Sequence, residues 1–273
     1  MKTITSDIKK KKLFLLDIDG TVSFDATPIE GALDFLKEIN TRGGKYVFIT
    51  NNSTKSIEDY IIKFTKMGIP VDHSSFLTSS TATATYLKKR YGSQLLYVLG
   101  TKSFVQELRK YDLQVTEEVS ESSKSKIVAA IVGFDNELTY TKVENICELL
   151  QTTNIDYLAT NPDLACPVSY GYVPDCGAIC NLLKEAVKKE PMYIGKPNRL
   201  MVDMACELSG YSKEETIVIG DRLYTDIACG INAGVDTAVV FTGEAKYEDL
   251  KTTEFPPTYY CDTIKDLYIA LRD

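Results

Sequence analysis

The sequence predicts an α/β protein: a parallel-sheet domain built from both ends of the chain, with a smaller α/β domain inserted between them. Three observations carry this prediction. Short apolar runs alternate with helix-period segments across short connections, the pattern of strands joined by crossover helices. The texture changes after about residue 91 and resumes after about residue 190, so the expected domains are 1–91 and 191–273 for the sheet domain and 92–190 for the insertion. Acidic, hydroxyl, amide and lysine residues recur at the ends of four of the apolar runs.

Leu13 to Leu16 reads as a buried strand. It delivers Asp17, Ile18 and Asp19, and period-two alternation sends both acids to one side with Ile18 turned into the core. Gly20 then allows a tight bend, holding the acids at a carboxyl edge, where open α/β sheets bind ligands. Two carboxylates that close repel unless a proton or a cation lies between them, and a divalent cation is the natural solution. Taken alone, the run also fits an ordinary strand-ending turn.

A helix pattern follows at Ile29, Ala32, Leu33, Leu36 and Ile39, stopped by Gly43-Gly44. Tyr46 to Thr50 is the second buried strand, ending at Asn51-Asn52-Ser53. Ser56 caps the next helix with Asp59 in the capping-box position. Its apolar stripe is Ile57, Tyr60, Ile61, Phe64 and Met67, closed by Gly68 and Pro70. A further helix spans about Ser80 to Arg90.

In the insertion, Leu95 to Leu99 and Ile127 to Val132 are β-like, separated by a helix from about Ser103 to Tyr111 and the polar stretch Glu117 to Lys126. A helix from about Thr141 to Leu150 leads to the strand Ile155 to Ala159, and an irregular segment runs from Asn161 to Pro174. The first texture resumes with the strand Met192 to Ile194, ending at Gly195-Lys196-Pro197, and a helix from about Arg199 to Leu208. Thr216 to Ile219 is a strand ending at Gly220-Asp221. A helix from about Thr225 to Asn232, the strand Thr237 to Phe241 and a helix from about Ile264 to Leu271 complete the chain.

Composition narrows the function. A net charge of −7 argues against a nucleic-acid polymer as partner, because phosphate backbones demand clustered Lys and Arg. The Lys9 to Lys12 run reads as a solvated lead-in to the first strand. The apolar run behind it ends at Asp17, too short for a signal peptide, and no stretch is long enough to span a membrane, so a cytoplasmic location is expected. Seven cysteines, an odd number, fit reduced core thiols. With His73 the single histidine, a His/Cys zinc cluster is not expected.

Four strand ends therefore carry reactive residues: Asp17 with Asp19, Thr50 with Asn51 and Asn52, Lys196, and Asp221 with Asp226. In a parallel sheet such ends converge on one edge. The residue types form one chemical kit: carboxylates for a hard cation, hydroxyl and amide donors for phosphate oxygens, and a lysine for charge.

At these residues the chain resembles the haloacid dehalogenase-like (HAD) superfamily of phosphohydrolases. The matching pieces are Asp17-Ile18-Asp19-Gly20-Thr21, Ile49-Thr50-Asn51-Asn52-Ser53, Gly195-Lys196-Pro197 and Gly220-Asp221-Arg222-Leu223-Tyr224-Thr225-Asp226. Ala159-Thr160-Asn161-Pro162-Asp163 and Cys176-Gly177-Ala178 also match the NagD/p-nitrophenylphosphatase branch, subfamily IIA. The likeness covers nearly the whole chain and implies a Rossmann-like core with an inserted α/β cap of the C2 (C2a) type. The insertion point agrees: only about 30 residues separate Asp19 from Thr50, whereas the chain from Asn52 to Lys196 far exceeds one or two βα units.

The resemblance implies a Mg²⁺-dependent phosphomonoesterase for small phosphometabolites such as nucleotide monophosphates and sugar phosphates, with p-nitrophenyl phosphate as an artificial substrate. Asp17 would be the nucleophile that forms an aspartyl-phosphate, and Asp19 the general acid and base. Mg²⁺ would sit on the Asp17 carboxylate, the Asp19 backbone carbonyl and the Asp221 carboxylate, with Asp226 orienting metal-bound water or Lys196. Thr50 with the Asn51 amide, Asn52 and Lys196 would hold the phosphoryl group. Caps of this branch also imply specificity from the loop Asp163 to Asp175, which contains Cys166, Tyr170 and Tyr172, and a homo-oligomer formed through the cap. The competing reading is a non-catalytic phospho-ligand sensor on the same fold, against which the intact Asp17, Asp19, Lys196 and Asp221 weigh. A phosphomutase is disfavoured because no cap follows Asp19.

Overall fold

The computed structural model describes residues 1–52, 56–168 and 170–273. It contains two compact units: Met1–Thr50, Lys55–Leu77 and Lys196–Asp273 form one, and Asn51–Thr54 with Thr78–Gly195 the other. Among the described residues no helix is long and apolar enough to cross a membrane.

The sheet of the first unit runs Lys2–Thr3, Tyr259–Cys261, Asp236–Val240, Thr216–Gly220, Leu13–Leu16, Lys45–Thr50, Phe76–Thr78. Leu13–Leu16 is a central strand, buried at every position, and Leu15 pairs in parallel register with Val218 on one side and Val47 on the other. A strand covered on both faces reads as a continuous apolar run, as this one does. After it the chain builds outward through Lys45–Thr50, and later returns to the opposite side with Thr216–Gly220. That reversal of strand order opens a crevice at the carboxyl ends of these strands.

Phe14, Phe35, Phe48, Tyr60, Phe64 and Phe76 dominate the core on one face. The Phe48 ring lies 4.5 Å from that of Phe64 and 5.4 Å from that of Phe76, within the range of favourable aromatic pairing. The Ile57–Lys66 helix presents Tyr60 and Phe64 to this core. It begins at Ser56, whose Oγ accepts from the Asp59 amide while Asp59 accepts from the Ser56 amide, the expected capping box. A smaller cluster of Leu223, Ile227, Val239, Ala245 and Leu250 anchors the chain after the Asp236–Val240 strand.

The second unit holds a five-stranded parallel sheet in the order Met192–Tyr193, Asp156–Ala159, Ile127–Val132, Leu95–Leu99, Gln114–Thr116. Gln114–Thr116 is short and mostly polar, so periodicity gave no signal for it. Two assignments near the sequence-based boundaries fall on the other side of the division. Met192 pairs with Leu158, placing its strand here. The Ser79–Tyr91 helix is here too: the Tyr91 hydroxyl donates to Asp156 Oδ2 at 2.6 Å, and the Arg90 guanidinium reaches the same oxygen at 3.1 Å. Tertiary partners, invisible in texture, decide both.

Two further expectations are corrected. The segment after Asn161 is not irregular throughout: Ala165–Val168 and Gly171–Pro174 form an antiparallel hairpin. Nor is the Lys9 to Lys12 run uniformly solvated. Lys11 is buried, and its Nζ donates to the Glu214 carbonyl at 2.7 Å and pairs with Asp236 Oδ2 at 2.7 Å, so the stem packs while the charge finds partners. No disulfide joins any of the seven cysteines, and Cys176 and Cys180 lie on the buried face of the Cys176–Val187 helix.

Candidate active site

The site of the first unit begins where the Leu13–Leu16 strand ends. The Asp17 amide continues the ladder by donating to the Ile219 carbonyl at 2.9 Å. Ile18 is fully buried, and its carbonyl accepts from the amides of Val22 and Ser23 at 2.9 and 3.0 Å, closing a tight turn. Gly20 takes φ +86° in that turn, a conformation costly for residues with a Cβ. Asp17 is largely covered, whereas the Asp19 carboxylate is more than half exposed, with Lys63 Nζ 3.5 Å away.

Lys196 is the centre of the charge network. Its side chain is 3% exposed, and Nζ donates to Asp17 Oδ1 at 2.6 Å, Asp226 Oδ1 at 2.7 Å and the Ile49 carbonyl at 3.0 Å. An ammonium has three donors, and these acceptors engage them from three sides. Asp226 Oδ2 accepts from the Arg222 amide at 3.1 Å. The expected helix from Thr225 instead opens with a wide π-turn, Leu223–Ile227, before the α-helix Ala228–Ala233. Such turns recur at functional sites, and this one carries Asp226 back beneath Gly220 to meet Lys196. A Cβ at Gly220 would lie 2.3 Å from that of Asp226.

Asp221 follows the Thr216–Gly220 strand; its Oδ2 accepts from the Glu244 amide at 2.8 Å, and its Oδ1 lies 3.5 Å from Thr21 Oγ1. One carboxylate oxygen from each of Asp17, Asp221 and Asp226 lies within 4.8 Å of the others. Burial pushes the Asp17 carboxyl up to about 8; Asp226 and Asp221 add to this while Lys196 opposes it. Burial, with Asp226, likewise holds Asp221 up at about 6, against the Glu244 amide, Arg222 and Lys196. Burial alone would lower the Lys196 ammonium, but Asp17 and Asp226 outweigh it and hold the group well above its ordinary value. Lys196 thus bonds Asp17 and Asp226, with a third acid, Asp221, beside them. The excess negative charge and the all-oxygen donor set fit a hard divalent cation.

Of the residues singled out from sequence, Asp17, Lys196, Asp221 and Asp226 come together around this network. Asp19 adjoins it through the Ile18 turn, its carboxylate outside the three-acid cluster. Thr50 is buried at the end of Lys45–Thr50 and hydrogen-bonded to the Tyr60 hydroxyl. Asn51 and Asn52 belong to the second unit. There the Asn51 amide donates to Asp163 Oδ1 at 3.3 Å, and its carbonyl accepts from Ser79 Oγ at 2.8 Å and Asn161 Nδ2 at 3.1 Å. Ser53 lies outside the described residues, as does Ser169 of the Asp163 to Asp175 loop. Lys63, Thr21 and Glu244 were not singled out from sequence. Thr21 sits inside the Asp17 to Thr21 run and was therefore findable, whereas Lys63 looks like any polar-face helix lysine and Glu244 acts through its backbone.

Two family models match the chain: haloacid dehalogenase-like hydrolase over residues 14–114, and a HAD-hydrolase-like model over residues 193–267. An acid sugar phosphatase of Staphylococcus aureus is 32% identical over 266 residues, covering 97% of this chain and 99% of that protein. Among solved structures, 4-nitrophenylphosphatase from Thermotoga maritima superposes with a TM-score of 0.89 at 35% identity, covering 97% of this chain and 99% of that one. NagD from E. coli K-12 superposes with a TM-score of 0.84 at 29% identity, covering 93% and 97%. Matched by these family models and by relatives at 32% and 35% identity over nearly its whole length, the chain belongs to the haloacid dehalogenase-like hydrolases as an enzyme of their NagD-like phosphatase branch.

Proposed function

We propose that this protein is a Mg²⁺-dependent phosphomonoesterase for small phosphometabolites, sugar phosphates first and nucleotide monophosphates second. The observation that carries the reading is the buried Lys196 ammonium joining Asp17 to Asp226 beside Asp221. The names of the relatives, an acid sugar phosphatase and a 4-nitrophenylphosphatase, support small phosphate esters as substrates.

In this reading Asp17 Oδ2 attacks phosphorus while Oδ1 stays on Lys196, and the ester oxygen leaves as the aspartyl-phosphate forms. Asp19 donates a proton to the leaving oxygen, then accepts one from the water that hydrolyses the acyl phosphate. Its exposure leaves it open to both solvent and leaving group. Lys196 stabilises charge developing on the phosphoryl oxygens, where catalysis is largely electrostatic. Thr50 binds a phosphoryl oxygen, with Asn51 and Asn52 of the same motif as further phosphate partners. The Asp17 and Asp221 carboxylates and the Asp19 carbonyl hold the metal, with Asp226 orienting Lys196 through the 2.7 Å contact. Bound Mg²⁺ supplies the positive charge that keeps Asp17 ionised and offsets the phosphate charge. The hairpin, with Tyr170 and Tyr172 exposed, selects the leaving group.

A panel of sugar phosphates, nucleotide monophosphates and p-nitrophenyl phosphate with Mg²⁺ tests this. Phosphate release is expected, lost on chelation and lost in Asp17→Asn. Turnover that survives Asp17→Asn would overturn the nucleophile assignment.

A further inference from the structure

Asp221 is held more closely than a lone metal ligand at a strand end requires. We propose that the segment Thr242-Gly243-Glu244-Ala245 is a positioning device for the Asp221 carboxylate, with Gly243 setting where it sits. The inference rests on the reading of Asp221 as a metal ligand.

The segment grips Asp221 by both main chain and side chain. The Ala245 amide donates to the Asp221 carbonyl at 2.9 Å, and the Glu244 amide to Asp221 Oδ2 at 2.8 Å. Thr242 Oγ1 donates to the Gly20 carbonyl at 2.5 Å, tying the same segment to the turn that carries Asp17 and Asp19. Space is allotted as tightly as the hydrogen bonds. A Cβ on Gly243 would lie 1.9 Å from Asp221 Oδ2 and 2.4 Å from its Cγ, and one on Gly20 would lie 2.8 Å from the same oxygen. Gly20 also needs its left-handed backbone, but Gly243 does not adopt one, so glycine is required there for room alone.

The segment is tied on its far side as well. Ala245 is packed in the cluster with Leu223, Ile227 and Leu250. The Glu244 carboxylate is clamped by Arg222 Nε at 3.0 Å and by the Tyr224 hydroxyl at 2.8 Å, both from the stretch that follows Asp221. The two loops are therefore linked in both directions, and because a Cβ at Gly243 would also lie 2.7 Å from the Asp221 Cβ, added bulk there displaces the carboxylate and shifts the two loops with it.

Calorimetric titration of the metal-free full chain with Mg²⁺ tests the proposal, with chelator-treated melting as a check on folding. Gly243→Ala is expected to weaken Mg²⁺ binding about tenfold or more, the range seen when groups orienting a metal ligand are lost. Melting without metal should fall by no more than the ordinary cost of overpacking, with the fold retained. Because the effect runs through Asp221, Gly243→Ala added to Asp221→Asn should weaken binding no further than Asp221→Asn alone. If Gly243→Ala does not fold, Thr242→Val takes its place, with a smaller loss of roughly threefold or more expected because only one tether is cut. Asp221→Asn binding as tightly as the parent would sink the metal-ligand reading itself. Asp221→Asn weakened with Gly243→Ala or its substitute unchanged, or losses that add in the double variant, would overturn the positioning role alone.

Discussion

Replacing Lys196 with methionine keeps the buried stem and deletes the ammonium that Asp17, Asp226 and the Ile49 carbonyl share. Removing one partner from a buried ion pair costs about 3–5 kcal/mol, because the remaining charge is stranded away from water. The orphaned Ile49 carbonyl adds about 1–3 kcal/mol if no water replaces the lysine. Proton uptake by Asp17 offsets part of this, since burial already holds its carboxyl at about 8 with the lysine present. A net loss of about 3–5 kcal/mol follows, which lowers the melting temperature of the first unit by roughly 6–20 °C. Chelator-treated protein melted and urea-unfolded at about pH 8 and about pH 5 measures it. An acid whose folded pKa lies above its unfolded value contributes stability at low pH and loses it as pH rises through the folded pKa, so the deficit should shrink on acidification. Asp226→Asn in the Lys196→Met background should recover part of the loss by removing a stranded charge. A deficit under about 1 kcal/mol at the higher pH, or one that grows on acidification, refutes the reasoning.

Two predictions concern the second unit. Asp175 caps the Cys176–Val187 helix from a buried position, its Oδ1 accepting from the Cys176 amide at 2.5 Å, and burial raises its carboxyl to about 6. Its stabilising contribution is complete below the unfolded value near 3.8 and is lost as pH rises through about 6. Asp175→Asn keeps a capping oxygen and should remove on the order of 2–3 kcal/mol of that pH dependence, measured by urea unfolding across this window; an unchanged pH profile counts against it. Lys142 Nζ donates to Asp135 Oδ2 at 2.8 Å and to the Gly100 carbonyl at 2.9 Å, and the Asp135 side chain is fully buried. Lys142→Met should cost about 3–5 kcal/mol in the same assay, and a loss below about 1 kcal/mol would show that Asp135 finds another partner.

Local patterns exposed much of the architecture. The strands Leu13–Leu16, Lys45–Thr50 and Thr216–Gly220 were legible because they are covered on both faces and so read as unbroken apolar runs. The Ser56 capping box was legible because cap and partner stand three residues apart. Gln114–Thr116 was not, being an edge strand with little apolar content, and the hairpin after Asn161 was hidden by its Gly and Pro residues.

For the site, the sequence by itself determined which residue types stand at the strand ends, and therefore the chemistry available. Asp17, Lys196, Asp221 and Asp226 each carry that information in their immediate neighbours, because strand period and turn residues act over a few positions. The tertiary structure alone decided how charge is shared among them. Lys196 stands 179 residues from Asp17, yet becomes its ion-pair partner at 2.6 Å, and the π-turn that brings Asp226 onto the same ammonium has no local signature. The room left by Gly243 for Asp221 belongs to this class as well. Such contacts depend on which faces of distant elements are buried together, and burial is settled by the whole chain rather than by any window of it.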